Sequence, residues 1–206
     1  MQRIDVVRAL APLVTTDDLF VCGLGALWDD WWNYRPGGAG ADNTFAPVIL
    51  GSISSTALGL AIALPHRRIV ALDTDGSLLM NAGILCTLGS ERPGNVTVIV
   101  FDNGIYECIG GPPTLTSKNT DLARMAEGAG CINCCTVRDV TAFGEKVRPL
   151  LTDDQFGLIV AKIKPGIHPW PTEKRRPTDG VEDKYRFMRH VEKLENIVIH
   201  PGAPQN

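Results

Sequence analysis

Residues 68–111 read RIVALDTDGSLLMNAGILCTLGSERPGNVTVIVFDNGIYECIGG, and this stretch decides the fold. Residues 68–73 form a short apolar and β-branched run that predicts a strand, and residues 96–101 predict a second, buried strand. Between them, residues 78–90 carry apolar side chains at helical spacing. A strand, a helix and another buried strand make a βαβ unit, so the stretch predicts a parallel sheet.

Polar side chains follow both predicted strands at the point where each strand ends. Asp73 and Asp75 come after the first strand, and Asp102 and Asn103 come after the second. The carboxyl ends of parallel strands meet at one edge of a sheet, and ligands bind at that edge in open α/β folds. We therefore expect a binding site there.

Two of these side chains suit a hard metal ion. Asp75 offers a carboxylate oxygen and Asn103 an amide oxygen. Together with a backbone carbonyl they form the kind of oxygen set that Mg²⁺ or Ca²⁺ prefers. Gly76 and Ser77 open the predicted helix, and the free N–H groups of a helix N-terminus attract phosphate. The unit therefore predicts a diphosphate that a metal ion bridges to the protein.

The same stretch resembles a family of enzymes that use thiamine diphosphate. These enzymes carry a motif that starts Gly-Asp-Gly and ends in Asn after one strand–helix–strand passage, and here it runs from Thr74 to Asn103. The strings DGSLLMNAG and VIVFDNGIYECIGGPPTLT look like the β subunit of sulfopyruvate and phosphonopyruvate decarboxylases. The resemblance covers about residues 19–130. It implies a decarboxylase of 2-oxo acids that uses thiamine diphosphate and Mg²⁺.

The resemblance also implies which residues form the site. Asp75 and Asn103 would bind Mg²⁺ through their side chains, and Ile105 would bind it through its carbonyl. Gly76 and Ser77 would contact the diphosphate. We expect Asp75 to face solvent and to contribute little to the core. The other expected cofactor neighbours come from the turn after the first strand, from the segment before the next helix and from positions next to these residues: Gly25, Gly51, Ser52, Ile53, Thr74, Tyr106 and Glu107.

Two positions do not follow the family pattern directly. An apolar side chain within residues 48–64, VILGSISSTALGLAIAL, should hold the cofactor bent. Ile53 takes this place if residues 51–53 match the family's Gly-Ser-Met, whereas counting back from Pro65 favours Leu50, and we choose Ile53. Thr74 replaces the first glycine of the motif. Threonine would strain the loop if that position needs a positive φ.

The chain resembles one half of such an enzyme. Its 206 residues suit a single thiamine-diphosphate-binding domain, residues 1–206. The family's second domain gives a glutamate to the aminopyrimidine ring, and this sequence offers no candidate for it. Glu107 lies on the diphosphate side, so we expect it to face substrate or the cofactor edge.

We therefore expect a pyrimidine-binding α-type subunit as the partner, and an assembly that is either a homodimer or an α/β hetero-oligomer. Alone, the chain should be inactive. Two alternatives stay open. One is an acetolactate-synthase-like or 2-oxo-acid oxidoreductase subunit. The other is a homodimer without catalytic activity that binds the cofactor or acts as a scaffold.

Further elements complete a three-layer α/β/α sandwich with a mostly parallel sheet. We expect, in order, a helix near the N-terminus, a strand at 18–22, a helix from Asn119 or Thr120 to Ala129, a helix at 140–151, a strand at 158–163 and a helix at 181–195.

Two loops have open interpretations. Residues 28–43 hold three tryptophans and then several glycines. They form either a helix packed by its tryptophan face or an exposed aromatic surface for a partner, and the Gly-rich loop 36–41 could act as a lid. The basic residues 174–176 lie in a Pro-rich segment. They are either a solvated cluster or a contact for an anionic substrate.

Composition and charge argue against several classes of protein. The chain has 20 basic and 23 acidic residues and a net charge of −3, so there is no electrostatic case for nucleic-acid binding. No run approaches the ~18 apolar residues of a membrane helix, and the N-terminus lacks a signal-peptide core. Six cysteines include one CxxC pair, at 131 and 134. A closed metal site needs about four ligands, so we interpret the cysteines as reduced and structural, in a cytoplasmic enzyme.

Overall fold

The computed structural model describes residues 1–175 and 179–200. Its strands are β1 (Leu19–Cys22), β2 (Thr44–Phe45), β3 (Ile69–Thr74), β4 (Val96–Asp102), β5 (Cys134–Val137) and β6 (Gly157–Lys162). Its α-helices are α1 (Arg3–Leu10), α2 (Ala26–Tyr34), α3 (Ile53–Ala63), α4 (Asp75–Met80), α5 (Ile84–Glu91), α6 (Leu122–Gly128), α7 (Val140–Thr152) and α8 (Gly180–Glu195).

The six strands form one sheet in the order β2-β1-β3-β4-β6-β5, and every neighbouring pair is parallel. The chain runs outward from β1 to β2 and then returns to build β3 and β4 on the other side of β1. The order of the strands therefore reverses between β1 and β3. In open parallel sheets, the crevice beyond the carboxyl ends at such a reversal is the usual place for a ligand.

Helices cover both faces of the sheet, because successive side chains of a buried strand point to opposite faces. Leu19 and Val21 of β1 pack in one apolar cluster with α3, α5, α6 and α8. Phe20 and Cys22 pack in a second cluster with α1, α2 and α7. The predicted three-layer α/β/α sandwich is confirmed.

Most predicted elements are confirmed, including the strands of the opening stretch and the helices α7 and α8. Two strands, β2 and β5, were not predicted. The cap of α6 was predicted wrongly: Asp121, not Asn119 or Thr120, accepts the N–H groups of Ala123 and Arg124 at 3.0 and 3.1 Å.

The helix predicted at residues 78–90 is two helices. The first, α4, starts earlier than predicted, because the Thr74 hydroxyl accepts the N–H of Ser77 at 3.3 Å and caps it. It ends at Asn81, whose φ of −140° and ψ of 51° are not helical. The chain then turns through residues 81–83 before α5 begins. Apolar spacing continues across this break, so periodicity alone did not reveal it.

The tryptophan-rich segment forms a packed helix and not an exposed aromatic surface. Trp28 and Trp31 of α2 are buried, and Trp31 Nε1 donates to Thr44 Oγ1 at 3.1 Å. A short 3₁₀ turn, Gly38–Gly40, follows the helix. The lid function of loop 36–41 stays a prediction. Among the described residues, no helix is both long and apolar enough to cross a membrane.

Candidate functional site

A cleft opens at the carboxyl ends of β1, β3 and β4, where the strand order reverses. Residues from four loops and from α1 line most of it. The lining residues include Leu24 and Leu27 after β1, residues 74–77 after β3, Asn103 and residues 105–108 after β4, Leu50 from the loop before α3, and Arg3 from α1. The structure thus brings Asp75, Asn103 and Ile105 into one cleft, as the sequence predicted.

Asp75 is buried, with 1% of its surface exposed, so the expectation of a solvent-facing side chain is wrong. The hydroxyls of Thr114 and Thr116 both contact its Oδ2, at 2.6 and 2.9 Å. Burial raises the pKa of Asp75, the hydrogen bond from Thr114 opposes this shift, and the nearby Asp102 carboxylate adds to it. The side chain is therefore held in one orientation and carries an unfavourable charge when no cation is near.

Asp102 belongs to the same network but has its own cation. Thr116 Oγ1 lies 2.8 Å from Asp102 Oδ1 and so bridges the two carboxylates. Lys162 of β6 lies beside Asp102 in the sheet register, and its Nζ is 2.5 Å from Asp102 Oδ2. The sequence analysis did not identify Thr114, Thr116 or Lys162. The Thr-x-Thr pattern in the loop after β4 was the available signal.

Thr74 is not strained. Its φ of −121° and ψ of 157° are those of an extended residue, so the glycine of the family motif is not required there for a positive φ. The strain expected at this position is absent, and Thr74 instead caps α4.

Gly76 is required for a different reason, which is close packing. A Cβ atom at Gly76 would lie 2.6 Å from Cε1 and 2.7 Å from Cδ1 of Tyr106. The Tyr106 ring therefore rests directly on the backbone of Gly76, and any larger residue would displace it.

The loop after β4 is folded by its own hydrogen bonds. Asn103 Oδ1 accepts the N–H of Ile105 at 3.1 Å, and Gly104 between them has a φ of 74°. An amide oxygen has two lone pairs, so Asn103 can accept this bond and still offer a pair to a ligand.

Glu107 lines the cleft but is bound to the protein on both carboxylate oxygens. Arg3 Nη1 is 3.0 Å from Oε2, and the N–H of Gly166 donates to Oε1 at 2.6 Å. Arg3 also pairs with Asp30 at 2.7 Å, so its guanidinium serves two carboxylates. Glu107 thus lies at the cleft in a salt bridge that the sequence did not predict, and its contact with substrate or the cofactor edge stays a prediction.

The segment before α3 places Leu50, and not Ile53, in the cleft. Ile53 is 0% exposed and packs in the apolar core beneath the sheet edge. Leu50 is 41% exposed and lines the cleft. Helix α3 begins at Ile53 and turns that residue into the core, so the structure favours the alternative, Leu50, and a contact of Ile53 with the cofactor stays a prediction.

The remaining expected neighbours lie around the cleft. Gly25, with a φ of 79°, starts α2 next to Cys108. Gly51 follows Leu50 and bonds to α4 through Ser77. Ser52 turns away, since its hydroxyl donates to the carbonyl of Ile49 at 2.5 Å.

The donor set of the cleft fits Mg²⁺ better than a transition metal. It offers one carboxylate, one amide oxygen and the carbonyls of the loop after β4, and Mg²⁺ uses few protein ligands beside water and phosphate oxygens. In the described part of the chain, no group of three or more His, Cys, Asp or Glu side chains could hold a metal ion. The six cysteines carry free thiols.

A doubly wound parallel sheet with an acidic and amide-lined cleft at the strand reversal defines a class of α/β domains that bind phosphorylated cofactors. The chain matches the family model described as "Thiamine pyrophosphate enzyme, C-terminal TPP binding domain" over residues 31–161, and it belongs to this family. Thiamine pyrophosphate is another name for thiamine diphosphate.

Curated relatives are similar over different shares of the chain. The sulfopyruvate decarboxylase subunit beta of Methanocaldococcus jannaschii is 28% identical over 192 residues, which are 93% of this chain and 98% of that one. The subunit of the same name from Methanothermobacter thermautotrophicus is 35% identical over 133 residues, 63% of this chain and 67% of that one. Phosphonopyruvate decarboxylase of Streptomyces viridochromogenes is 36% identical over 119 residues, 57% of this chain but 29% of its own.

Solved structures share the fold. Benzoylformate decarboxylase of Polynucleobacter necessarius superposes with a TM-score of 0.68 at 16% identity, over 82% of this chain and 34% of that one. A thiamine-diphosphate-dependent 4-hydroxybenzoylformate decarboxylase of Rhodococcus jostii superposes with a TM-score of 0.66 at 19% identity, over 80% of this chain and 33% of that one. The chain therefore spans about a third of each solved chain.

Proposed function

We propose that this chain is the diphosphate-binding subunit of a 2-oxo-acid decarboxylase that depends on thiamine diphosphate and Mg²⁺. One observation carries the proposal: Asp75, Asn103 and Gly76 meet in one cleft at the carboxyl ends of β3 and β4. The similarity to sulfopyruvate decarboxylase β subunits over nearly the full chain supports the reaction class.

In this proposal each cleft residue has a binding role. Asp75, Asn103 and the carbonyl of Ile105 hold Mg²⁺, and Thr114 and Thr116 keep the Asp75 carboxylate oriented. Gly76 and Ser77 would contact the diphosphate, and Leu50 would support the rest of the cofactor. When bound, thiamine diphosphate supplies the electron sink that lets a 2-oxo acid lose carbon dioxide.

In the part of the chain that the structure describes, no glutamate at this cleft has a free carboxylate for proton transfer. Among the described residues that line it, Glu107 is the one glutamate, and Arg3 and Gly166 occupy both of its oxygens. We infer that a pyrimidine-binding α-type subunit supplies the glutamate. The assembly is either a homodimer of this chain or an α/β hetero-oligomer. Exposed apolar side chains near the cleft favour a covering partner: Ile49 is 71% exposed and Ile109 is 72% exposed.

The proposal is tested by assaying 2-oxo acids, including sulfopyruvate and phosphonopyruvate, with the chain alone and with its co-purified native partner. We expect turnover only with the partner, together with fast hydrogen–deuterium exchange at the thiazolium carbon. Turnover by the chain alone, with contamination excluded by mass spectrometry, would contradict the need for a partner.

The products of this assay separate the alternative functions. A condensed product from two 2-oxo acids would favour the acetolactate-synthase-like alternative, and a need for an electron acceptor would favour the oxidoreductase. Cofactor binding without any turnover in the native complex would favour the scaffold.

A further inference from the structure

Helix α4 and the residue that follows it bind the backbone of Gly51 through both its N–H and its carbonyl. The N–H of Gly51 donates to Ser77 Oγ at 3.0 Å, and Asn81 Nδ2 donates to the Gly51 carbonyl at 2.9 Å. Gly51 has a φ of 82°, and a Cβ atom there would lie 3.2 Å from Cβ of Asn81. The loop before α3 is therefore attached closely to the helix that follows β3.

The residue next to this attachment is Leu50, which lines the cleft. The segment before it has little packing of its own, since Val48 is 58% exposed and Ile49 is 71% exposed. With so few buried contacts nearby, the hydrogen bonds at Gly51 have a large share in deciding where Leu50 lies.

Asn81 makes its bond from outside the cleft. It stands where α4 ends, and its non-helical backbone aims the side chain at the loop and not along the helix. A helix that continued into α5, as periodicity predicted, would not leave its side chain free to do this. The break between α4 and α5 thus has a specific use.

We infer that Asn81 is a positioning residue: it fixes Leu50 beneath the cofactor through the carbonyl of Gly51, without touching the cofactor itself. This inference rests on the proposed function, in which Leu50 supports the cofactor. Its consequence is that loss of the Asn81 amide should weaken contacts to the ring of the cofactor and leave contacts to the diphosphate intact.

The attachment itself can be tested without any ligand. Hydrogen–deuterium exchange of residues 49–52 should be faster in the Asn81→Ala and Asn81→Asp variants than in wild type. The Asn81→Asp variant keeps the shape of the side chain and removes only the donor. Asn33→Ala is the matched control, because Asn33 Nδ2 donates to the carbonyls of Asp29 and Lys174 at 2.7 and 2.9 Å, away from the loop. Unchanged exchange in both Asn81 variants would overturn the inference.

The positioning role is tested by calorimetry with Mg²⁺ and two ligands, thiamine diphosphate and inorganic pyrophosphate. We expect Asn81→Asp to lower the affinity for thiamine diphosphate by about tenfold, which is the scale of one hydrogen bond. The affinity for pyrophosphate should not change. Because Asn81 acts through Leu50, adding Asn81→Asp to Leu50→Ala should weaken binding no further.

Four further results would overturn the inference. Additive losses in the double variant, or equal losses for both ligands, would show that Asn81 supports α4 in general. Unchanged thiamine diphosphate affinity despite faster loop exchange would also overturn it, and would leave the proposed function standing. If the wild-type chain binds neither ligand with Mg²⁺, the proposed function fails and the inference fails with it.

Discussion

At the scale of single residues, the cleft depends on side chains that orient other side chains. Thr114 and Thr116 fix the Asp75 carboxylate, and burial raises the pKa of Asp75. A buried carboxylate is unfavourable unless a cation or a proton accompanies it. A bound Mg²⁺ would therefore remove a cost that the ligand-free fold bears.

Thr74→Ala should destabilise the protein, because it removes the hydroxyl that caps α4. We expect the free energy of unfolding to fall by about 1 kcal/mol in chemical denaturation. Thr74→Ser keeps the hydroxyl and is the control. Tighter cofactor binding by Thr74→Gly would contradict this view, since it would mean that Thr74 is strained.

Gly76→Ala should displace the Tyr106 ring, which a Cβ atom would meet at 2.6 Å. We expect a loss of stability on the order of 1–3 kcal/mol and weaker cofactor binding, measured by denaturation and calorimetry. Gly59→Ala is the matched control, because a Cβ atom there meets nothing within 4 Å. Equal behaviour of the two variants would show that the Tyr106 contact is dispensable.

Sequence patterns predicted the site residues that directly follow strands of the sheet. Asp75 and Asn103 follow neighbouring strands, so their meeting in one cleft needed no knowledge of loops. Thr116 and Lys162 were not predicted, because their contacts depend on how a loop and a distant strand return to the site. Leu50 was only the second choice, after Ile53, because the start of α3 could not be placed to within three residues.

At the scale of elements, the Glu192 carboxylate is one of the groups that attach α8 to the last described residues. Glu192 accepts the N–H groups of Ile199 and His200 at 2.8 and 2.9 Å and pairs with Arg189 at 2.6 Å. The bond from His200, followed by that from Arg189, lowers the pKa of Glu192 from 4.5 to about 2.

Glu192→Gln should therefore reduce stability in a pH-dependent way. Because the pKa of Glu192 is lowered in the folded state, its charge contributes fully to the free energy of unfolding above pH 4.5. This contribution is lost as the pH falls towards about 2. Thermal melting at pH 7 should show wild type more stable than the variant, and the difference should close between those two values. A constant difference across this range would contradict the role of the charge.

Periodicity predicted elements whose apolar pattern reaches the core along their whole length, such as α7 and β4. It did not predict β5, whose Cys134 and Cys135 are only half-buried at the edge of the sheet. It also joined α4 and α5, because a turn at Asn81 interrupts the hydrogen bonds of the helix without interrupting the apolar spacing.

At the scale of the whole molecule, two exposed apolar residues are sequence neighbours of residues that line the cleft, since Ile49 precedes Leu50 and Ile109 follows Cys108. Ile109→Asp should weaken association with the native partner by roughly tenfold or more, since a buried unpaired carboxylate is costly. Ile62→Asp is the control: Ile62 is 56% exposed but lies at the far end of α3. Analytical ultracentrifugation measures the affinity of each variant for the partner. Equal losses of affinity in the two variants would contradict a partner surface at the cleft.

The most direct test of the account is calorimetric titration of the Asp75→Asn variant with thiamine diphosphate and Mg²⁺. The threonine hydroxyls can accept as well as donate, so the cleft should accommodate the amide and the fold should survive. We predict that Mg²⁺-dependent binding is lost, while Asp139→Asn, which alters the cap of α7, binds like wild type. Equal affinity of Asp75→Asn and wild type would contradict the assignment of this cleft as the site of the metal and the diphosphate.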